Sequence, residues 1–346
     1  MMRKVIKQVA GIDVAQKELV VTLGRMFDDF EIELSFYKVF RNSDSGIKSL
    51  TQWVSKLTDN TVSVRYVMEA TGVYHQKFAY YLVENSFEVS IVLPNKISNY
   101  IRTLDMKTIT DKTCSQAIAQ FGLERKIDQW LKPKAVYKEL QQLTRERDQI
   151  VQERSIIKNQ THAENTEAEP NQRSLIRMGL RIKFLNQQEK EIKEDIANII
   201  KENPDLRKII ERVTTIPGVG ELTAVIILGE TNGFEMIRNK AQLTSYAGLD
   251  VKEKQSGTSV KGKPRISKKG NRNLRKAVHL PALSAVKWDE NFKSIYARLV
   301  SKHGIKMKAL VAIQRKLLEL IYILFKNETK YDKEYMTKNS VQTQMV

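Results

Sequence analysis

The chain has 346 residues, 41% hydrophobic and 28% charged, enough apolar material for two or three packed domains and not the composition of a disordered chain. Lys and Arg number 58 against 40 Asp and Glu, a net +18, which favours a polyanionic partner, nucleic acid first. No apolar run is long enough to span a membrane, Met1–Lys7 leads into no signal-peptide core, and one Cys with four scattered His excludes an internal disulfide and a zinc ribbon or finger. A reducing cytoplasm, away from any membrane, is the expected setting.

Residues 7–124 read as α/β. Gln8–Val14 and Lys17–Gly24 are short apolar runs, and Phe30–Phe40 alternates with strand period through Ile32, Leu34 and Phe36. Asn42–Gly46 is a turn-and-cap cluster that opens a helix through Ile47, Leu50, Trp53, Val54 and Leu57. Val62–Met68 predicts a strand, Val73–Asn85 a helix, Phe87–Leu93 a strand closed by Pro94-Asn95, and Asp111–Phe121 a helix. Three hairpin-like strands followed by alternating helices and strands predict a mixed sheet flanked by helices, the ribonuclease-H-like order.

Residues 134–202 carry a 4-3 apolar spacing in two segments. The first runs through Val136, Leu140, Leu143, Arg147, Ile150, Arg154 and Ile157; the second runs from Leu175 to Ile199 and includes Glu189. Polar Thr161–Arg173 lies between them, so the pattern predicts an antiparallel helical hairpin with a flexible tip, with Arg147, Arg154 and Glu189 available to pair across the seam. The segment serves either as a plain intramolecular coiled coil or as an oligomerisation arm.

The third part opens with Ile216-Pro217-Gly218-Val219-Gly220 before an apolar helix, an arrangement resembling the helix-hairpin-helix motif that holds DNA backbone, with Gly218 and Gly220 giving a phosphate close approach. Lys252–Lys276 holds ten Lys or Arg in twenty-five residues against one acid, Glu253. Lys252, Lys254, Lys261, Lys263, Arg265, Lys268, Lys269 and Arg272 are the expected phosphate-binding cations of a flexible loop. Gly257–Lys263 fits GxxxxGK, but Pro264 stands where a P-loop needs Ser or Thr and no apolar strand leads in, so a P-loop is rejected. Helices are predicted over Leu274–Ala285 and Met307–Phe325, with a frayed polar tail after Asn327.

Three acids stand where a sheet presents ligands: Asp13 in Gly11-Ile12-Asp13-Val14, Glu69 after Val62–Met68, and Asp111 at the start of a helix. Hard carboxylate oxygens suit Mg2+, which stabilises the attacking and leaving oxygens of phosphoryl transfer. Ser256, beside Gly257 and among lysines, is a candidate nucleophile, although composition alone makes it a turn residue.

At this point the chain resembles the DEDD-type insertion-sequence transposases, a family similar to the Piv DNA invertases, from about Val9 to Leu299. The resemblance rests on Gly11–Val14, Met68–Gly72 and Thr110-Asp111-Lys112, and on Ile216–Gly220, Tyr246–Leu249, Gln255–Gly257 and Ile266–Asn271. It implies a RuvC-like domain whose acids bind Mg2+, and a mainly helical C-terminal transposase domain with a serine nucleophile. Carried over, the acids are Asp13, Glu69 and Asp111, and the serine is Ser256. It further implies guidance by a structured noncoding bridge RNA, DNA as substrate, homodimers that join into tetramers, and a nucleoid-associated prokaryotic protein. The domains are then residues 1–126 RuvC-like, 127–205 coiled-coil hairpin and 206–330 transposase domain, with 331–346 a polar tail. The family's fourth acid, three residues after the third, is Cys114 here, a soft and usually protonated ligand. Three readings follow: an active recombinase, a weakened or inactive RNA-bound DNA-binding derivative, and a RuvC-like junction nuclease that uses water.

Overall fold

The structure, a computed structural model, describes residues 3–70, 72–104, 106–253, 255–256, 260–262 and 264–334; at 255, 256, 260 and 261 it describes the backbone alone. The chain divides into two compact units, Met1–Lys132 and Pro133–Val346.

The first unit begins with three strands, β1 (Val5–Val14), β2 (Glu18–Phe27) and β3 (Ile32–Arg41), joined as antiparallel hairpins. Then come α1 (Asp44–Leu57), β4 (Val64–Glu69), α2 (Gln76–Glu84), β5 (Glu88–Val92), α3 (Pro94–Ile101) and α4 (Asp111–Glu124). The sheet order is β3-β2-β1-β4-β5, with β4 parallel to β1 and β5 parallel to β4. This mixed sheet flanked by helices is the ribonuclease-H-like order that the pattern predicts.

The two faces of the central strand feed two cores, because side chains alternate along a strand. Ala10, Ile12 and Val14 pack with α1 and α2 through Leu50, Val54, Phe78 and Leu82. Val9 packs on the other face with Val67, Val92, Ile97 and Ile118, which brings in α3 and α4. Buried on both faces, β1 reads as a continuous apolar run. Gly11 is obligatory at the crossing with α4, since a Cβ there would lie 2.2 Å from the Ala119 nitrogen. Thr22 Oγ and Ser115 Oγ, 2.8 Å apart in the core, tie α4 to β2.

Pro94 does not close β5; it occupies the first turn of α3, where its missing N–H costs nothing. The β4 strand starts two residues later than the apolar run suggests, and α2 begins at Gln76.

The second unit opens with two long helices, α5 (Ala135–Thr166) and α6 (Gln172–Glu202), running antiparallel and packed through Leu140, Ile150, Ile157, Leu185, Ile192 and Ile196. The expected flexible tip is shorter than predicted: α5 continues to Thr166, and Asn171 caps α6 by accepting from the Ser174 N–H at 3.1 Å. Glu189, 6% exposed, accepts from Arg147 Nη2 at 2.7 Å and from Arg154, with Lys193 Nζ at 3.1 Å.

Next come α7 (Pro204–Val213), α8 (Glu221–Thr231) and α9 (Lys240–Tyr246). The basic segment is a pair of nested antiparallel ladders rather than an irregular loop: β6 (Val251–Lys252) pairs with β9 (Arg265–Ile266), and β7 (Gln255–Ser256) with β8 (Val260–Lys261).

The predicted helix over Leu274–Ala285 is two helices, α10 (Arg272–Ala277) and α11 (His279–Trp288), interrupted at Val278. An unpredicted helix, α12 (Glu290–His303), starts at Asp289, whose carboxylate accepts from the Asn291 and Phe292 N–H groups. It ends at Gly304 in the left-handed region, and α13 (Lys306–Asn327) closes the unit. Residues just beyond Asn327 are docked rather than frayed: Tyr331 OH donates to Asp289 Oδ2 at 2.8 Å, and the Tyr331 N–H donates to Thr215 Oγ1 at 2.9 Å. Residues 335–346 of the predicted tail lie outside the described residues.

Candidate functional site

Parallel pairing places two of the predicted acids side by side. Ile12 is the register partner of Met68, so Asp13 and Glu69 are the next residues along β1 and β4. Gly11 faces α4, and Asp13, two residues on, shares that face. Val67 belongs to the same layer, and Glu69 follows it by two. The third acid, Asp111, is the first residue of α4, where a carboxylate suits the helix dipole. Thr110 and Thr113 cap this end reciprocally, which fixes where the helix, and Asp111 with it, begins.

The three acids act on one another. Burial pushes the Asp13 carboxyl above its ordinary value, and the Asp111 charge adds to that; a hydrogen bond from the Val14 N–H opposes both. Glu69 is raised by burial and then by Asp13. Cys114, one helical turn beyond Asp111, is raised by burial and then by Asp13, Glu69 and Asp111 in turn, so it is a neutral thiol at pH 7. Among the described residues no Lys or Arg forms an ion pair with Asp13, Glu69 or Asp111.

This donor set suits a hard divalent cation in its chemistry: three oxygen ligands that repel one another and have no cationic partner among the described residues. As the side chains lie, no three His, Cys, Asp or Glu among the described residues are gathered to hold a metal ion.

The predicted nucleic-acid contacts fall in the second unit. Gly218 takes a left-handed φ of +88°, but the space a Cβ would need is filled by α11, with Pro281 O 2.7 Å away. Its role is therefore packing, and the expected close approach to a phosphate is not available on that side. Gly220 is the N-cap of α8, has open space around it, and leaves the helix start without a side-chain cap. Lys252, Arg265, Lys268, Lys269 and Arg272 are exposed along the ladders and the turn that follows. Lys254 and Lys263 lie outside the described residues, and Ser256 and Lys261 are placed by their backbone in the tip ladder.

Two features escape the sequence reading. Glu230, 2% exposed on α8, accepts from Asn271 Nδ2 and Asn273 Nδ2, both at 2.7 Å, and so pins the start of α10 where the basic segment ends. A charged residue two positions past the apolar run Leu222–Leu228 was its available signal. The second is Tyr37, an exposed ring on β3 with Lys112 Nζ 5.2 Å from its centre. The strand alternation marked its position but not its neighbour.

Residues 10–164 match the DEDD, IS110-type family model described as Transposase. Residues 210–297 match the model described as Transposase IS116/IS110/IS902 family. The pilin gene-inverting protein of Moraxella lacunata is 28% identical over 306 residues, 85% of this chain and 90% of that protein. The transposase for insertion sequence element IS1111A of Coxiella burnetii is 30% identical over 144 residues, 40% of this chain and 37% of that protein. Thermus thermophilus RuvC in complex with a Holliday junction substrate aligns with TM-score 0.28 and 11% identity over 36% of this chain and 99% of that one, a likeness too low to carry an argument.

These matches define an enzyme that moves or rearranges DNA, a DNA transposase. The chain belongs to the IS110/IS116/IS902 transposase family. No helix among the described residues is long and apolar enough to cross a membrane.

Proposed function

We propose that this transposase opens and rejoins DNA strands at Asp13, Glu69 and Asp111, with Ser256 as the nucleophile. The observation that carries the reading is the carboxylate trio itself: residues far apart in sequence, two on one sheet face and one at the start of the helix packed on that face, with Asp13 in the field of Asp111 and Glu69 in that of Asp13, and no cationic partner among the described residues. Asp13, Glu69 and Asp111 would hold the divalent cation, expected to be Mg2+. Held by these residues, the cation would supply charge neutralisation for the scissile phosphate and for its developing oxyanions. The Ser256 oxygen bonds to phosphorus as one phosphorus–oxygen bond to the sugar breaks, and the serine proton ends on the departing sugar oxygen. Reversal with a different strand's hydroxyl rejoins the DNA and restores the serine.

The exposed cations from Lys252 to Arg272, with the uncapped start of α8 at Gly220, are the phosphate contacts in this reading. The net charge of +18 leaves room for a structured guide RNA beside the DNA. The α5–α6 hairpin serves as an oligomerisation arm: Ile176, Leu180 and Phe184, one turn apart on α6, are 64%, 60% and 64% exposed.

The deciding experiment incubates the protein with Mg2+, DNA and the RNA transcribed beside its gene. A covalent protein–DNA adduct is expected with wild type and none with Ser256→Ala. Hydrolysed, unjoined ends that persist in Ser256→Ala would instead identify a water-using junction nuclease.

A second reading has its own observation. A neutral Cys114 thiol occupies the fourth acid's place, so the metal site is short of one charge and one hard oxygen. In that reading the protein binds DNA under RNA guidance and cuts poorly, and wild-type recombination at the rate of Cys114→Asp would end it.

A further inference from the structure

We propose that Tyr37, Val39 and Lys112 form a stacking ledge for an unpaired nucleotide beside the carboxylates. The sheet register puts them there. Asp13 pairs with Val20, and Val20 with Val39. Gly11 pairs with Thr22, and Thr22 with Tyr37. Partners across adjacent strands point to the same face, and this is the α4 face, because Thr22 bonds Ser115 and Gly11 abuts Ala119. Tyr37 and Val39 therefore stand two strand spacings, about 10 Å, from Gly11 and Asp13.

Both side chains are exposed, at 42% and 41%, on a sheet-edge strand where apolar surface of this kind is normally covered or charged. Lys112 lies over the Tyr37 ring and immediately follows Asp111 in the first turn of α4. The ammonium over the ring thus belongs to the helix turn that Asp111 begins. That combination suits a single-stranded segment: the ring takes a base, which every nucleotide offers, and the ammonium takes the adjoining phosphate. A duplex keeps its bases stacked on each other and offers the ring nothing.

The inference rests on reading the carboxylate trio as the place where a strand is opened. The two ideas separate cleanly, because the ledge is read by binding in EDTA and the cleavage by the covalent adduct. The probes are labelled oligo(dT), oligo(U) and a DNA duplex of equal length, bound to the full chain, with bromouridine photocrosslinking to map the contact.

Tyr37→Ala is expected to weaken single-strand binding about fivefold or more while Tyr37→Phe stays within about twofold, since stacking needs the ring and not the hydroxyl. Lys112→Ala should lower the slope of log affinity against log salt by about 0.7, one phosphate contact on a single strand. Crosslinks should fall in β3, and duplex binding should ignore Tyr37. Stronger ring dependence with oligo(dT) assigns the ledge to DNA, and with oligo(U) to guide RNA; either supports it. Tyr37→Ala binding like wild type in a variant that melts normally, equal losses on duplex, or crosslinks only outside β3 would overturn it. Loss of adduct formation with the Tyr37 effect intact would sink the cleavage reading and leave the ledge standing.

Discussion

The Glu230 carboxylate and the Arg145 guanidinium meet at two points, Nε to Oε1 and Nη2 to Oε2, both at 2.8 Å. The pair is lopsided: the Arg145 side chain is 49% exposed and the Glu230 side chain 1%. Burial raises the Glu230 carboxyl, but hydrogen bonds from Arg145, Asn271 and Asn273 outweigh it and hold the group below its ordinary value. Removing Arg145 leaves a buried charge with Asn271 and Asn273 among its remaining donors, whereas Glu230→Gln removes that charge, keeps one acceptor oxygen for them and returns a guanidinium to water. Arg145→Ala should therefore cost about 2–3 kcal/mol, below the cost of breaking a fully buried pair because Arg145 is half exposed. Urea unfolding of the two variants measures the asymmetry, and a cheaper Arg145→Ala than Glu230→Gln contradicts it.

Acid should loosen the helical hairpin. Burial opposes the charged form of Glu189, yet Arg154, Lys193 and Arg147 draw its carboxyl down to about 2 from an ordinary 4.5. A depressed folded value means the stabilisation is complete above about 4.5 and is lost as the pH falls through that window towards 2. It amounts to at most about 3 kcal/mol. Denaturation midpoints followed from pH 6 to about 2 should fall for wild type. Glu189→Gln should start lower and lose this part of the pH dependence.

Cys114→Asp should change two measurements in opposite directions. Without metal, a fourth carboxylate joins three that already repel, so thermal stability at pH 7 should drop, by about 1 kcal/mol. With Mg2+ the loss should be recovered and calorimetric Mg2+ affinity should exceed that of wild type. An unchanged affinity would mean that residue 114 does not face the bound ion.

Gly11→Ala should unfold the first unit. The added methyl meets the α4 backbone at 2.2 Å from Ala119 N, and neither helix nor central strand can yield as a flexible side chain would. A loss above about 2 kcal/mol is expected, read by loss of cooperative melting. Gly220→Ala, with open space around it, should cost less than about 1 kcal/mol.

Salt should separate the two kinds of nucleic-acid contact. Overall affinity should fall steeply between 50 and 200 mM salt, by about a thousandfold if six or more phosphates are held. Replacing Lys268 and Lys269 together should flatten that slope by about two phosphates' worth. Filter binding at several salt concentrations tests both.

Periodicity carried the sheet and the hairpin, because there the burial direction repeats along the chain: Ile32 and Leu34 on β3, and Leu140 with Ile150 on α5. The seam charges were legible too, since Arg147, Arg154 and Glu189 interrupt an otherwise apolar stripe. Elements set by a single terminal residue were harder. Pro94 reads equally as a strand stop and a helix first turn, and the Asp289 cap lies in a polar stretch that hides α12. The acids were found as a set of three; the register that sets Asp13 beside Glu69, the parallel β1–β4 pairing, is something local pattern does not encode. Glu230 went unread because its partners lie 85 and about 41 to 43 residues away in Arg145, Asn271 and Asn273.

The two long helices of the second unit also have a reach fixed by their length. At 1.5 Å per residue, a helix of 31 residues is about 46 Å long. Excising seven residues from each rod at matched heights keeps the apolar stripes in phase while shortening the pair by about 10 Å. With the hairpin as the proposed oligomerisation arm, a series of such trimmed proteins would set the spacing between joined copies by gene length.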